Sequence, residues 1–272
     1  MPERVSSSRF RARVEYDGTD YAGFQANPGK RTVQGVLEES LSRLGNEPGE
    51  RIDGAGRTDA GVHAMGQVIT FSYGGRLTVS ELERAFDALL PLDVAIRDVR
   101  AVPATFHPRY AARYREYRYT VWNGPRSPLR ERTALGVRIP LDTAAMGRAA
   151  SVFIGRHDFR TFGATDRSPV RTVIAVRVKT EGRVVMIDIR AVSFLRGMAR
   201  RIVACLLEVG LGKMDEEAVR SALAGTGPAF VGTSAPAKGL CLRHVAFGRR
   251  TGGDTNGDTR NDEREDLFGP RE

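Results

Sequence analysis

Two periodicities alternate along this chain, and their order limits the folds open to it. From Arg9 to Tyr16 the apolar residues Phe10, Ala12 and Val14 recur at every second position, which predicts a strand, and Asp17-Gly18-Thr19 breaks the pattern. Val33, Val36, Leu37, Leu41 and Leu44 then fall at three- and four-residue spacings, predicting a helix that Gly45 stops. Gln67 to Tyr73 alternates as a half-buried strand. Thr78-x-x-Glu81 reads as a capping box opening a helix through Leu82, Phe86, Leu89 and Leu90, Pro91 ends it, and Val94 to Val102 is a further strand. The first hundred residues therefore run strand, helix, strand, helix, strand.

The second half repeats the theme. Tyr114 to Trp122 is strand-like, and Thr143 to Ile154 is helical with Met146, Ala149, Val152 and Phe153 inward. Val173 to Val178 and Val184 to Ile189 alternate as strands. A helix over Leu195 to Val209, a short one over Asp215 to Ala224 and a strand over Leu242 to Phe247 complete the pattern. Two successive mixed sets of similar size predict an α+β protein with two subdomains, residues 1–104 and 105–248, divided where Pro-Ala-Thr-Phe-His-Pro from Pro103 to Pro108 interrupts the strands. With 272 residues, 41% of them hydrophobic, the chain can bury a real core in either one or two domains. Residues 249–272 have only Leu267 and Phe268 as sizeable apolar residues and are expected to form a disordered charged tail.

The charge narrows the partners. The formal net charge is +9, and because residues 249–272 carry five arginines against seven acids, the first 248 residues reach +11. Such a balance suits a polyanion, whose neutralised phosphates release counterions. Two cysteines, Cys205 and Cys241, are too few for a disulfide scaffold, and the four histidines, His63, His107, His157 and His244, show no metal-binding spacing. No metal and no cofactor are expected. There is no apolar run of about 18 residues, and Met1-Pro2-Glu3-Arg4 does not open a signal peptide, so a cytoplasmic protein without membrane association is expected.

One stretch departs from core-building altogether. Gly54-Ala55-Gly56-Arg57-Thr58-Asp59-Ala60-Gly61-Val62-His63 sets one arginine and one carboxylate among three glycines and two alanines, ahead of the strand that would anchor it. Small residues let a backbone turn sharply and another molecule approach closely, leaving Arg57 and Asp59 presented to a partner. Taken alone, Asp59 also suits ordinary turn chemistry. Likewise Tyr117, in a stretch with Tyr119 and Trp122, could be a core aromatic, and Arg200, four residues after Arg196 and beside Arg201, could belong to a solvated helix face.

The ordered motifs weigh against these ordinary readings. Gly54 to His63 with Gln67 to Phe71 resembles the signature G-x-G-R-T-D-x-G-V-H-A of the TruA family of tRNA pseudouridine synthases. Val14 to Gln25 with Thr32-Val33-Gln34-Gly35, Arg115-Glu116-Tyr117-Arg118-Tyr119, Gly155 to Phe159, Ser193 to Val203 and Gly239-Leu240-Cys241-Leu242 are similar to its other segments. The likeness runs from about residue 9 to 248. The fifth segment has Gly197, Ala199, Arg201 and Ala204 where the family usually has His, Val, Asn and Gly. The resemblance implies two ferredoxin-like subdomains, a continuous and mostly antiparallel sheet with helices on one side, and a central basic cleft.

It also implies a reaction, the isomerisation of uridine to pseudouridine at positions 38, 39 and 40 in the anticodon arm of tRNA, and a homodimer that binds tRNA across both subunits. The C1′–N1 bond must break, the base turn and C5 join C1′, which calls for a carboxylate, a pocket that keeps the freed uracil and exclusion of water. The family pattern makes Asp59 the catalytic aspartate, acting at C1′, at C6 or on a 2′ proton. It makes Tyr117 the residue that stacks on the flipped base and Arg200 the partner that holds the Asp59 carboxylate charged and oriented. Arg57 is expected to help flip or replace the base, and Arg113, Arg115 and Arg118 to meet phosphates. Two alternatives remain: a catalytically inactive tRNA-binding or RNA-folding protein, and a nuclease or glycosidase with Asp53 as the second carboxylate.

Overall fold

The computed structural model describes residues 8–45, 51–164, 168–226 and 234–248, so the tail expected at 249–272 lies outside the described residues. In chain order the elements are β1 (Ser8–Tyr16), α1 (Val33–Arg43), β2 (Asp53–Gly54), β3 (His63–Tyr73), α2 (Val79–Leu89), β4 (Val94–Ala101), α3 (Pro108–Ala111) and β5 (Ala112–Asn123). There follow β6 (Leu135–Val137), α4 (Thr143–Ala150), β7 (Gly155–Asp158), β8 (Val170–Glu181), β9 (Val184–Ala191), α5 (Met198–Gly210), α6 (Glu216–Ala224) and β10 (Leu240–Phe247). The α+β expectation holds: helices alternate with strands that pair largely antiparallel.

The chain forms two compact units. The first comprises the described residues up to Thr58, then Ala64–Tyr114 and those from His244; the second comprises Asp59–His63 and those within Arg115–Arg243. In the first, β1 lies between β3 and β4, antiparallel to both, and β2 adds two residues to β3, Gly54 opposite Ile69. Helix α2 starts where expected, with the Thr78 hydroxyl accepting from Glu81 N–H and the Glu81 carboxylate accepting from Thr78 N–H. It packs on β4, and its Phe86 meets Phe71 edge-on at 5.5 Å, with Phe10 stacked beyond at 5.8 Å. Ala12, Val14, Leu37, Leu41, Ile69, Leu82 and Ile96 complete that core.

In the second unit the strands run in the order β5, β9, β8, β7, each pair antiparallel, while β6 joins β5 in parallel. The two faces of β5 differ in chemistry. Arg115, Tyr117, Tyr119 and Val121 are buried on one face, whereas Glu116 and Arg118 on the other pair across to Arg190 and Asp188 on β9 at 2.8 and 2.7 Å. Helix α4 packs on β8, α5 and α6, and its expected inward residues Met146 and Ala149, with Val152 and Phe153 in the following 3-10 turn, are buried.

Two expectations need correction here. The apolar pattern from Leu195 suggests a helix beginning there, but Gly197 takes φ +75° as the N-cap and α5 begins at Met198. Arg196 therefore precedes the helix, in an isolated bridge with Ala164, and forms no stripe with Arg200. Nor is the rest of α5 a solvated face: Met198, Ala199, Ile202 to Leu207, Val209 and Gly210 are all buried.

Candidate active site

The approach to Asp59 is fixed by groups that its own small residues cannot supply. Ala55 N–H donates to Val68 C=O at 2.8 Å, and the fully buried Gln67 side chain bonds Gly56 twice, Nε2 donating to its carbonyl at 2.6 Å and Oε1 accepting from its N–H at 3.4 Å. Thr58 is buried, its hydroxyl 2.8 Å from that of Tyr16, while its carbonyl accepts from Phe24 N–H at 3.1 Å. A Cβ on Gly54 would stand 2.5 Å from the Phe24 ring, so this close approach requires glycine.

The loop Asp59–His63 is set in the second unit. Val62 N–H donates to Asp59 C=O at 3.2 Å, closing a turn in which Gly61 has φ +75°, the left-handed third position of a type II turn. A Cβ on Gly61 would also come within 3.2 Å of Ala237 Cβ. At the loop's end the buried His63 places Nε2 2.9 Å from Arg132 C=O and 3.1 Å from Lys238 C=O. Both carbonyls can only accept, so Nε2 is the protonated nitrogen.

The Asp59 side chain is 32% exposed. Its Oδ2 is 3.6 Å from Arg200 Nη1 and its Oδ1 is 4.0 Å from Arg196 Nε. Both are ion-pair contacts longer than hydrogen bonds, and the carboxylate accepts no hydrogen bond from the described residues. Arg200 lies in the first turn of α5, which holds no acidic residue of its own. Arginines at the positive end of a helix are unfavourable there, and Asp59 supplies the compensating negative charge. Arg200 is anchored to a second partner: its Nε donates to Ala235 C=O at 2.6 Å, and Ala235 N–H donates back to Arg200 C=O at 3.1 Å.

Tyr117 lies opposite Ile189 on β9 and is 8% exposed, its ring meeting Phe194 edge-on at 5.0 Å. Its hydroxyl makes no hydrogen bond among the described residues. Burial pushes the phenol's pKa up, Arg115 opposes that rise and the Asp59 carboxylate adds to it, so ring and carboxylate share one electrostatic environment. Tyr119 differs: it is fully buried and its hydroxyl donates to Pro236 C=O at 2.9 Å, a satisfied core tyrosine. Asp59, Tyr117 and Arg200 thus belong to one unit. Arg57 belongs to the other, exposed and without hydrogen bond or ion pair among the described residues.

Other expected phosphate contacts are occupied internally. Arg118 forms a two-point ion pair with Asp188, Nε at 2.7 Å and Nη2 at 2.9 Å, and the buried Arg115 donates to Val192 C=O at 3.0 Å. Arg113 is half-buried. Asp53, weighed as a second carboxylate, is held by Arg9 at 2.9 Å. Among the described residues no group of three or more His, Cys, Asp or Glu could hold a metal ion, and no helix is long and apolar enough to cross a membrane. Reading by motif passed over Phe194 beside Tyr117, Arg196 beside Asp59 and the segment from Ala235 to Lys238. The first two sit in the Ser193 to Val203 segment and could have been found there; the third carries no signal because it acts through backbone carbonyls.

Comparison with known proteins adds an independent line. A family profile described as tRNA pseudouridine synthase matches residues 12–111 and 149–248. The protein "tRNA pseudouridine synthase A" of Geotalea uraniireducens is 41% identical over 238 residues, covering 86% of this chain and 97% of that one. The protein of the same name from Syntrophotalea carbinolica is 41% identical, covering 86% and 94%, and that from Brevibacillus brevis is 40% identical over 243 residues, covering 88% and 99%.

Proposed function

Because the chain belongs to the tRNA pseudouridine synthase family and is an enzyme of that class, we propose that it isomerises uridine in the anticodon stem-loop of tRNA, with Asp59 as the catalytic carboxylate. The family resemblance points to positions 38, 39 and 40. The observation that carries the residue assignment is the Asp59 carboxylate itself, flanked by two guanidiniums, partly open to solvent and committed to no hydrogen bond among the described residues.

A nucleotide must leave its stack to reach such a group, at a cost of a few kcal/mol. Stacking on an aromatic ring contributes about 1 to 3 kcal/mol per base, and Tyr117, braced by Phe194, offers that ring. Arg200, fixed to Ala235, keeps the carboxylate in place while the C1′–N1 bond breaks and the C5–C1′ bond forms. The reaction is an isomerisation, so it consumes neither oxidant nor water. Arg57, exposed and without an ion pair among the described residues, is taken to fill the space a flipped base vacates. The enzyme is further taken to be a cytoplasmic homodimer with tRNA held across both subunits, an inference from family resemblance.

The test is pseudouridine formation in unmodified tRNA, mapped by position, with wild type and Asp59→Asn side by side and nothing else added. Product in the anticodon arm from wild type, with none from a variant that still binds tRNA, supports both the site and the residue. Equal product from both removes Asp59 from the chemistry, and binding without product from either favours an RNA-binding protein.

A further inference from the structure

A second basic site lies outside the catalytic loop. A cavity of about 240 Å³ in the second unit is lined in part by Trp122, Arg126, Arg130, Glu131, Arg138 and Lys238. Its framework is well tied: the Asn123 side-chain amide donates to Val137 C=O at 2.9 Å and Ile139 C=O at 2.7 Å, and accepts from Leu141 N–H at 3.1 Å. Gly124 N–H adds a bond to Val137 C=O at 2.9 Å, and the Trp122 indole donates to Pro125 C=O at 2.6 Å.

The charges on this framework do not balance. Glu131 pairs with Lys238, which leaves three guanidiniums on one cavity. Arg130 sits 5.6 Å over the Trp122 ring, Arg126 adds to the pull of Lys238 that lowers the Glu131 carboxyl's pKa, and neither Arg126 nor Arg138 makes a hydrogen bond or close ion pair among the described residues. Like charges gathered around one concavity repel, and an anion relieves that repulsion. Three planar forks able to bond oxygens in pairs match a phosphate best among common anions.

We propose that this cavity is a docking subsite for a backbone phosphodiester of the substrate tRNA, separate from the pocket that takes the target nucleotide. The inference rests on the tRNA reading above and adds to it where the polynucleotide is held. The cavity wall also meets the catalytic loop, because the carbonyls of Arg132 and Lys238, next to Glu131 and on the wall itself, accept from His63. A phosphate docked here is therefore held at a set remove from Asp59.

The experiment compares wild type with Arg126→Ala/Arg130→Ala/Arg138→Ala and with a control of equal lost charge, Arg148→Ala/Arg177→Ala/Lys179→Ala, whose side chains are exposed elsewhere in the same unit. Affinity for an unmodified full-length tRNA transcript is read across a salt series, with kcat, KM and a thermal melt for each protein. The expected result is a KM raised about ten-fold or more with kcat within about two-fold, and a plot of log affinity against log salt shallower by about 0.7 to 0.9, the contribution of one phosphate contact. A cavity variant with wild-type KM and slope, or a control that loses as much, overturns the proposal. Single variants Arg126→Gln and Arg138→Gln give the same reading should the triple variant melt early. Wild type that binds tRNA yet makes no pseudouridine would strike the catalytic reading alone, and the slopes would still decide the cavity.

Discussion

Arg200 Nη1 stands 3.6 Å from Asp59 Oδ2 while Arg200 Nε is spent on Ala235 C=O at 2.6 Å. The guanidinium is thus oriented by a backbone group and faces the carboxylate without closing a hydrogen bond on it. Arg200→Lys keeps the charge but loses the fork that reaches both partners. We expect it to lower kcat about 10- to 100-fold with a smaller change in KM, and single-turnover rates on bound tRNA measure this directly.

Asp59→Asn removes the charge and keeps the shape. Turnover is expected to fall by at least about a thousand-fold, equivalent to about 4 kcal/mol of barrier. Affinity for tRNA should be retained, and the melting temperature should fall only slightly, because the carboxylate's contacts with Arg196 and Arg200 are ion pairs longer than hydrogen bonds.

Gly61→Ala strains the loop in two ways, through a left-handed backbone and through contact with Ala237. Forcing an L-residue into that conformation costs about 1 to 2 kcal/mol. A melting point lowered by about 2 to 8 °C is expected, together with reduced turnover, as read by calorimetry and initial rates.

The two tyrosines of β5 should separate on loss of the hydroxyl. Tyr119→Phe leaves Pro236 C=O without its donor and should cost about 0.5 to 1.5 kcal/mol, whereas Tyr117→Phe should leave the melting point within about 1 °C. Tyr117→Ala is then the variant that loses turnover. A Tyr117→Phe protein that melts as early as Tyr119→Phe would show a hidden partner for the Tyr117 hydroxyl.

Burial, reinforced by Glu208, pushes the Cys205 thiol up to about 12. Deprotonation of a thiol is disfavoured below its pKa, so at pH 8 about one Cys205 in ten thousand is the reactive thiolate. Alkylation of the native protein at that pH should spare Cys205, and full labelling should appear only on unfolding, as peptide mapping would show.

Much of the fold was legible because its signals are local. The Thr78 cap and the Gly45 stop act within four residues, and their side-chain types announce them. The start of α5 was not, because Leu195 continues the apolar pattern across a glycine whose φ only the folded chain reveals. β7, with the sequence Gly-Arg-His-Asp, has no alternation to read, and β6 is three residues long. At the candidate site, the motifs singled out Asp59, Tyr117 and Arg200. The backbone carbonyls that brace the first and last of these have no identity in a sequence. Arg118 looked free because its partner, Asp188, lies one strand away.

The pairing of His63 with Lys238 spans 175 residues. Translation at about 5 to 20 residues per second therefore separates the synthesis of the Asp59 loop from that of its supporting wall by on the order of ten seconds. A nascent chain that ends at residue 190 already contains the aspartate but neither Arg200 nor Ala235. The ribosome thus makes the Asp59 carboxylate early and its neighbours late, so the loop acquires its setting only once the chain has passed Lys238.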